Sequence, residues 1–313
     1  MKMRKNSHRP GSKSRFKPKN EDNSGLSQRS ASAKRPGGAR KEKKFDRSKQ
    51  KSGPPDYNQK TLKSRISKSA ATAKDNTEES IRLNKYIANA GVCSRRDADK
   101  LISAGEISVN GKIISELGYK VKATDTIKYK NKLLTREKFV YVLLNKPKDF
   151  ITTTDDPNDR RTVMQLVSKA CKERIYPVGR LDRNTTGLLL FTNDGDLAKK
   201  LSHPSHNTKK VYQVELDKPL HKDDFLKVSE GLELEDGLVK VDDFAILSDD
   251  KKSLGLEIHL GKNRIVRRIF EHLGYEVIKL DRVVYGGLTK KDLKRGTWRY
   301  LSEREVVKLK HLK

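Results

Sequence analysis

The first 79 residues cannot build a core, and this limits where a fold can lie in this chain of 313. They hold 23 Lys and Arg against 8 Asp and Glu, with Ser, Gly, Asn and Pro throughout and almost no aliphatic side chains. So little apolar surface cannot offset the entropy lost on ordering, and residues 1–79 are expected to form a disordered basic tail. Roughly half of the net charge of +29 sits in this quarter of the length. Such a segment binds phosphates without reading sequence and adds affinity through counterion release. A purely solubilising extension is the plainer alternative.

The overall charge points to a polyanionic partner, nucleic acid ahead of an anionic membrane surface. No apolar run approaches the roughly 20 residues needed to span a bilayer, and the basic N-terminus lacks the apolar region of a secretory signal. No membrane partner and a cytoplasmic location are therefore expected. Cys93 and Cys171 are the only cysteines, which leaves neither a disulfide framework nor a cysteine-based zinc site.

At Ile81 the texture changes. Leu83, Tyr86, Ile87 and Ala90 recur at helical spacing, with Arg82, Asn84 and Lys85 on the other side, and Gly91 ends the helix. Ser94-Arg95-Arg96-Asp97 has the form of a capping box and opens a second helix, whose Ala98, Leu101 and Ile102 face inward until Gly105. Ile107 and Val109 then alternate with polar residues ahead of Asn110-Gly111, a strong hairpin signal. Two short helices and a small sheet fit within 80–130. Lys85, Arg95 and Arg96 gather near a helix N-terminus, where free N–H groups and the dipole favour phosphate; a solvated basic face is the alternative. The run from Arg82 to Ile87, through Gly91 to Arg96, to Val109-Asn110-Gly111-Lys112 resembles the S4 RNA-binding domain. That resemblance implies RNA contacts by Arg82, Lys85, Arg95 and Arg96.

After a polar, basic connector from Lys132 to Lys138, a second domain is expected over 138–311. Strand patterns fall at Phe139–Leu144, Phe150–Thr153, Lys210–Leu216, Leu254–Leu260, Glu276–Leu280 and Arg299–Leu301. Helical patterns fall at Thr162–Ala170, Asp196–Leu201, Lys222–Gly231 and Asn263–Leu273. Strands outnumber helices and several neighbours are close enough to pair as hairpins. The fold class expected is therefore α+β, on a mixed, largely antiparallel sheet.

Three stretches of this domain carry candidate chemistry. From Gly179 to Gly195, a polar run with Asp182 between Arg180 and Arg183 leads into Leu188–Phe191, an apolar run short enough to be a buried strand. Gly179 and Gly187 bracket the loop with backbone freedom that a Cβ would remove. In the helix at 263–273, Ile265, Val266, Ile269, Phe270 and Leu273 form one face, Arg264, Arg268 and Glu271 the other, and Arg267 falls between. A guanidinium there is placed to meet a carboxylate in a two-pronged pair, with Asp182 the candidate partner. Arg264 and Arg268 are either a solvated surface or RNA contacts. In Lys209-Lys210-Val211-Tyr212-Gln213-Val214, alternation puts Tyr212 and Val214 on one side of a strand. Tyr212 is either a core residue, the commoner role for such a tyrosine, or a platform for an extruded base.

Other constellations carry less. His203 and His206 lack the spacing and carboxylate of a zinc site, and no metal is expected. Asp155 and Asp156 read as turn residues, as does Asp194 in Asn193-Asp194-Gly195. No phosphate loop or dinucleotide-binding glycine pattern is present.

Together and in this order the three stretches resemble the RsuA/RluB family of ribosomal RNA pseudouridine synthases, from about Ile81 to about Leu309. Gly179-Arg180-Leu181-Asp182-Arg183-Asn184-Thr185-Thr186-Gly187 is the most specific part. The resemblance places the catalytic aspartate on Asp182, the active-site tyrosine on Tyr212, reversing the core preference, and the basic partner on Arg267. It implies a monomeric enzyme that isomerises a uridine of ribosomal RNA without metal or cofactor. Asp182 would act on the sugar or base, Tyr212 would stack the base, and Arg180, Arg183, Lys210, Arg264 and Arg268 would bind RNA. Arg183-Asn184-Thr185 is closer to the RluB branch, which favours the large subunit. Relatives commonly have Gln where this chain has Ile265. An inactive RNA-binding assembly protein is the competing reading, against which the intact Asp182, Tyr212 and Arg267 stand; a DNA-compacting protein rests on charge alone.

Overall fold

The computed structural model describes residues 53–55 and 80–312, so the expected disordered tail lies outside the described residues but for 53–55. The small domain opens with β1 (Ile81–Arg82), which runs directly into α1 (Leu83–Asn89). α2 (Arg95–Ser103) begins on Ser94, whose hydroxyl oxygen accepts from the Asp97 N–H at 3.2 Å. β2 (Ile107–Val109) and β3 (Lys112–Ile113) form the hairpin signalled by Asn110-Gly111, with φ of +51° and +84° at the two turn residues. β4 (Lys120–Val121) pairs with β1, while β5 (Ile127–Tyr129) and β6 (Lys132–Leu133) complete a sheet ordered β3-β2-β5-β6. Leu83, Ile87, Ala98, Ile102, Ile107 and Ile127 fill the core, which runs on to Leu134.

The connector is held at both ends. Tyr86 Oη donates to Leu134 O at 3.0 Å and Glu137 N to Asn89 O at 3.0 Å. On the other side, Asn193 Nδ2 donates to Lys138 O at 2.9 Å and Asn193 Oδ1 accepts from Val140 N at 2.9 Å.

The larger domain contains β7 (Tyr141–Lys146), α3 (Val163–Val167), β8 (Tyr176–Val178), β9 (Thr186–Thr192) and α4 (Gly195–Ser202). Next come β10 (Lys210–Leu216), α5 (Lys222–Glu230), the hairpin of β11 (Leu232–Leu234) and β12 (Gly237–Val239), β13 (Asp243–Ile246) and β14 (Ser253–Ile258). α6 (Ile265–His272), β15 (Val277–Tyr285), β16 (Leu288–Thr289), β17 (Trp298–Tyr300) and α7 (Glu303–Lys310) complete it. The main sheet is ordered β13-β14-β10-β15-β9-β7-β17, with β8 added to β9 and β16 to β15. Within it the β9–β15 pair is parallel and the other pairings are antiparallel. This is the mixed, largely antiparallel α+β sheet expected.

β9 is apolar on both faces because both faces are covered. Leu189 and Phe191 pack with Val214, Leu256, Ile269 and Phe270, whereas Leu188 and Leu190 pack with Tyr141, Leu197, Tyr285 and Val306. Its parallel contact with β15 depends on Gly187, at φ +105°, where a Cβ would lie 2.3 Å from Arg282 O. Gly187→Ala is therefore expected to force the strands apart and to cost about 3 kcal/mol or more, read as a fall in the denaturant midpoint.

One expected strand is absent. Phe150–Thr153 makes only an isolated bridge, Ile151 to Thr162, because Asp149 turns the chain at φ +68° and two threonine hydroxyls bond to carbonyls of turns and loops. Thr153 Oγ1 donates to Asp155 O at 2.5 Å and Thr152 Oγ1 to Leu181 O at 2.8 Å. Asp194 is a helix cap as well as a turn residue: its carboxylate accepts from Leu197 N at 3.1 Å and from Tyr141 Oη at 2.8 Å.

Candidate active site

The loop from Gly179 to Thr185 joins β8 to β9 and is tied from below. Gly179 enters it at φ +73°, Leu181 is buried, and Thr185 N donates to Asp182 O at 3.1 Å to close a turn. Lys146, the last residue of β7, is fully buried. Its ammonium donates to four carbonyls, those of Pro147 at 3.1 Å, Asp182 at 3.0 Å, Arg183 at 3.2 Å and Thr185 at 2.9 Å. Burial pushes the Lys146 ammonium down to about 8, while the charges of Asp182 and Asp149 pull it up. The result is a backbone fixed around one cation, with the Asp182 side chain left outside the arrangement.

That side chain lines a cavity of about 360 Å³, within the usual range for a small-ligand site. Tyr212 from β10, Arg282 from β15 and the loop leading into α6 form the other walls. Tyr212 is 8% exposed and packs with the main core, and it also borders the cavity. Among the described residues Asp182 is the sole carboxylate on the cavity wall, against Arg180, Lys210, Lys262, Arg264 and Arg282.

Arg267 is buried on α6, but the two-pronged pair with Asp182 does not form. Its Nη1 donates to Val277 O at 2.7 Å and its Nε is buried without a partner. Burial and the charge of Arg264 push the guanidinium down; the charge of Asp182 pulls it up, so the two are electrostatic neighbours without an ion pair. β15 takes the guanidinium because its first carbonyl lies directly beside the buried face of α6.

The expected RNA contacts divide into two groups. Arg82, Arg95, Arg96 and Arg180 are exposed, the middle pair in the first turn of α2. Others are engaged within the protein. Lys85 pairs with Asp196 at 2.7 Å, linking α1 to α4. Arg183 pairs with Asp149 at 3.3 Å, and Arg264, in the left-handed conformation at φ +47°, pairs with Glu271 at 3.1 Å. Arg268 grips Asp236 with two bonds of 2.9 and 2.7 Å, turned toward the β11–β12 hairpin. Lys210 is drawn inward, donating to His259 O at 2.5 Å and Leu260 O at 3.4 Å, so it anchors the loop before α6 where a phosphate contact was expected. Burial and the charge of Arg282 push its ammonium down to about 8.

Sequence reading missed Lys146 and Arg282. The first stands in Asn145-Lys146-Pro147, where a charge ending an apolar run was a usable signal. The second sits within the pattern of β15, an arginine on a buried strand.

The S4 domain profile matches residues 81–127 and the RNA pseudouridylate synthase profile residues 140–272. The chain is 43% identical over 235 residues to ribosomal large subunit pseudouridine synthase B of Bacillus subtilis, covering 74% of this chain and 96% of that one. It is 34% identical over 235 residues to the dual-specificity RNA pseudouridine synthase RluF of Escherichia coli K12, covering 74% and 79%. A crystal structure of pseudouridylate synthase matches with a TM-score of 0.52 at 29% identity, covering 73% of this chain and 99% of that one. The chain belongs to the RsuA/RluB family of RNA pseudouridine synthases.

Proposed function

We propose that this protein converts a specific uridine of large-subunit ribosomal RNA to pseudouridine, as a cytoplasmic monomer. In this reading Asp182 acts on the sugar, Tyr212 stacks the extruded base, and Arg267 is a positioning residue. The observation that carries it is the cavity itself: one carboxylate, two tyrosines (Tyr212 and Tyr285) and a cationic rim in a space suited to a nucleobase. The reaction detaches uracil at N1 from C1′, turns it, and rejoins it through C5, so the product is an isomer and no atom is imported. Asp182 serves either as a nucleophile at C1′ or as a base at the ribose. Arg180 beside it, with Arg82, Arg95 and Arg96 on the small domain, holds phosphates of the surrounding RNA. The likeness to the Bacillus enzyme named for the large subunit supports the choice of substrate.

Mapping pseudouridines in ribosomal RNA from cells with and without the gene is the direct test. Loss of one large-subunit pseudouridine, restored by the purified protein on unmodified RNA, is expected; an unchanged map would sink the assignment. Deleting residues 1–79 is expected to weaken RNA binding and flatten its salt dependence while leaving saturated turnover nearly intact. Filter binding across a salt series, with single-site turnover alongside, checks both halves.

A further inference from the structure

Arg282 is a buried charge that the proposed roles do not use. It lies opposite Tyr212 across the β10–β15 pair and is 3% exposed. Its Nε donates to Leu188 O at 2.8 Å and its guanidinium lies 4.4 Å from the Tyr285 ring centre. Nη2 is buried without a partner. No carboxylate among the described residues pairs with it; the adjacent Asp281 is engaged by Thr186, Lys290 and Arg295. The second inward-turned cation of the cavity wall, Lys210, is close enough to feel its charge.

A buried guanidinium is costly without a counter-charge, and here two cations stand in one wall with no acid offsetting Arg282. Such a wall suits a cavity in which negative charge beyond that of Asp182 arises during the reaction. We infer that Arg282 supplies the fixed positive charge that stabilises the uracil ring as an anion between its detachment from C1′ and its return through C5. This inference rests on the cavity being the seat of the target uridine.

The electron count supports it by either route. When C1′–N1 breaks, its electron pair goes to N1 and spreads onto O2 and O4. The sugar is balanced by a bond from Asp182 to C1′ or by loss of a ribose proton to Asp182. The new C5–C1′ bond then consumes the pair as the Asp182–C1′ bond breaks, or as Asp182 returns its proton to the ribose; the proton on C5 leaves, and N1 takes one up. Between those events the base carries one negative charge, which a preoriented cation stabilises without touching it. Arg282 is on this account an electrostatic positioning residue.

The test uses the full-length protein under single-turnover conditions on ribosomal RNA fragments bearing either uridine or 5-fluorouridine at the target, following loss of the parent nucleoside. Fluorine withdraws electron density and makes the base a better leaving anion. Arg282→Gln is expected to slow uridine conversion by about 10²- to 10³-fold, in the range for removing a preorganised charge or donor, with 5-fluorouridine slowed by about tenfold or less. RNA affinity should hold, and Arg282→Lys should recover most of the rate. Equal losses on both substrates would reduce Arg282 to a structural residue. A raised KM with full kcat would make its ligand an RNA phosphate, and no loss at all would also overturn the inference. If Arg282→Gln does not fold, Arg282→Lys carries the test: its displaced charge should still slow uridine more than 5-fluorouridine, and an unchanged ratio overturns the idea. If the wild-type protein converts neither substrate, the functional reading falls, and this inference with it.

Discussion

Asp182→Asn is expected to leave a folded, RNA-binding protein that releases tritium from C5-labelled uridine at least about 10⁴-fold more slowly than the wild type. The separation of fold from activity follows from the contacts. The Asp182 carboxylate accepts no hydrogen bond and joins no ion pair among the described residues. What the residue gives the fold is its carbonyl, which accepts from Lys146 and from Thr185 N, and asparagine keeps that. Denaturant midpoint and RNA affinity should therefore stay near wild type while turnover collapses. Undiminished turnover would remove Asp182 from the chemistry and reopen the reading as an RNA-binding assembly protein.

Lys146→Met should fail differently, through the fold beneath the loop. Methionine approximates the volume but strands four carbonyls that now share one ammonium. Leaving buried acceptors unpaired gives an expected loss of about 3–5 kcal/mol, a large part of the stability of an ordinary domain. Turnover should fall with it, since the displaced backbone carries Asp182. The pH dependence has a definite sign. The Lys146 ammonium is at about 8 in the folded protein against an ordinary 10.5, so between those values the unfolded chain binds more protons. Linkage then makes this group's contribution to stability rise with pH in that window, while below 8 the fold carries the full cost of the buried charge. Catalysis should move the opposite way, because the loop loses its ammonium as pH passes 8. Turnover falling above pH 8 without a matching fall in denaturant midpoint would show this; parallel falls would refute it.

Periodicity and turn chemistry made much of this fold readable beforehand. The alternation through Lys210–Leu216 and the Ser94 cap describe contacts between near neighbours in the chain, and both stand in the structure, although Asp97 accepts from the Ser94 hydroxyl and does not close the reciprocal half of a capping box. Gly179 and Gly187 were readable for the same reason, since positive φ is a local demand. The capping box Ser302–Glu305 ahead of α7 carries the same kind of signal. What could not be read was partnership. The helical pattern put Arg267 at the edge of a buried face, yet whether a guanidinium there meets Asp182 or Val277 O depends on where β15 begins. Lys210 and Arg268 read as free cations because nothing nearby in sequence says that His259 O and Asp236 lie within reach.

β9 runs from the end of the Asp182 loop at Thr186 to Thr192, one residue before the Asn193 side chain that clasps the connector at Lys138 and Val140. Seven strand residues span about 23 Å, and this strand is covered on both faces and paired along its length. The tether of the RNA-gripping module and the loop that carries Asp182 are thus mounted on the two ends of one stiff rod. An insertion in the surface loops leaves that span unchanged, whereas a residue added within β9 would both reverse its packing faces and lengthen the gauge. The distance between that tether and the loop carrying Asp182 is therefore set by the length of β9.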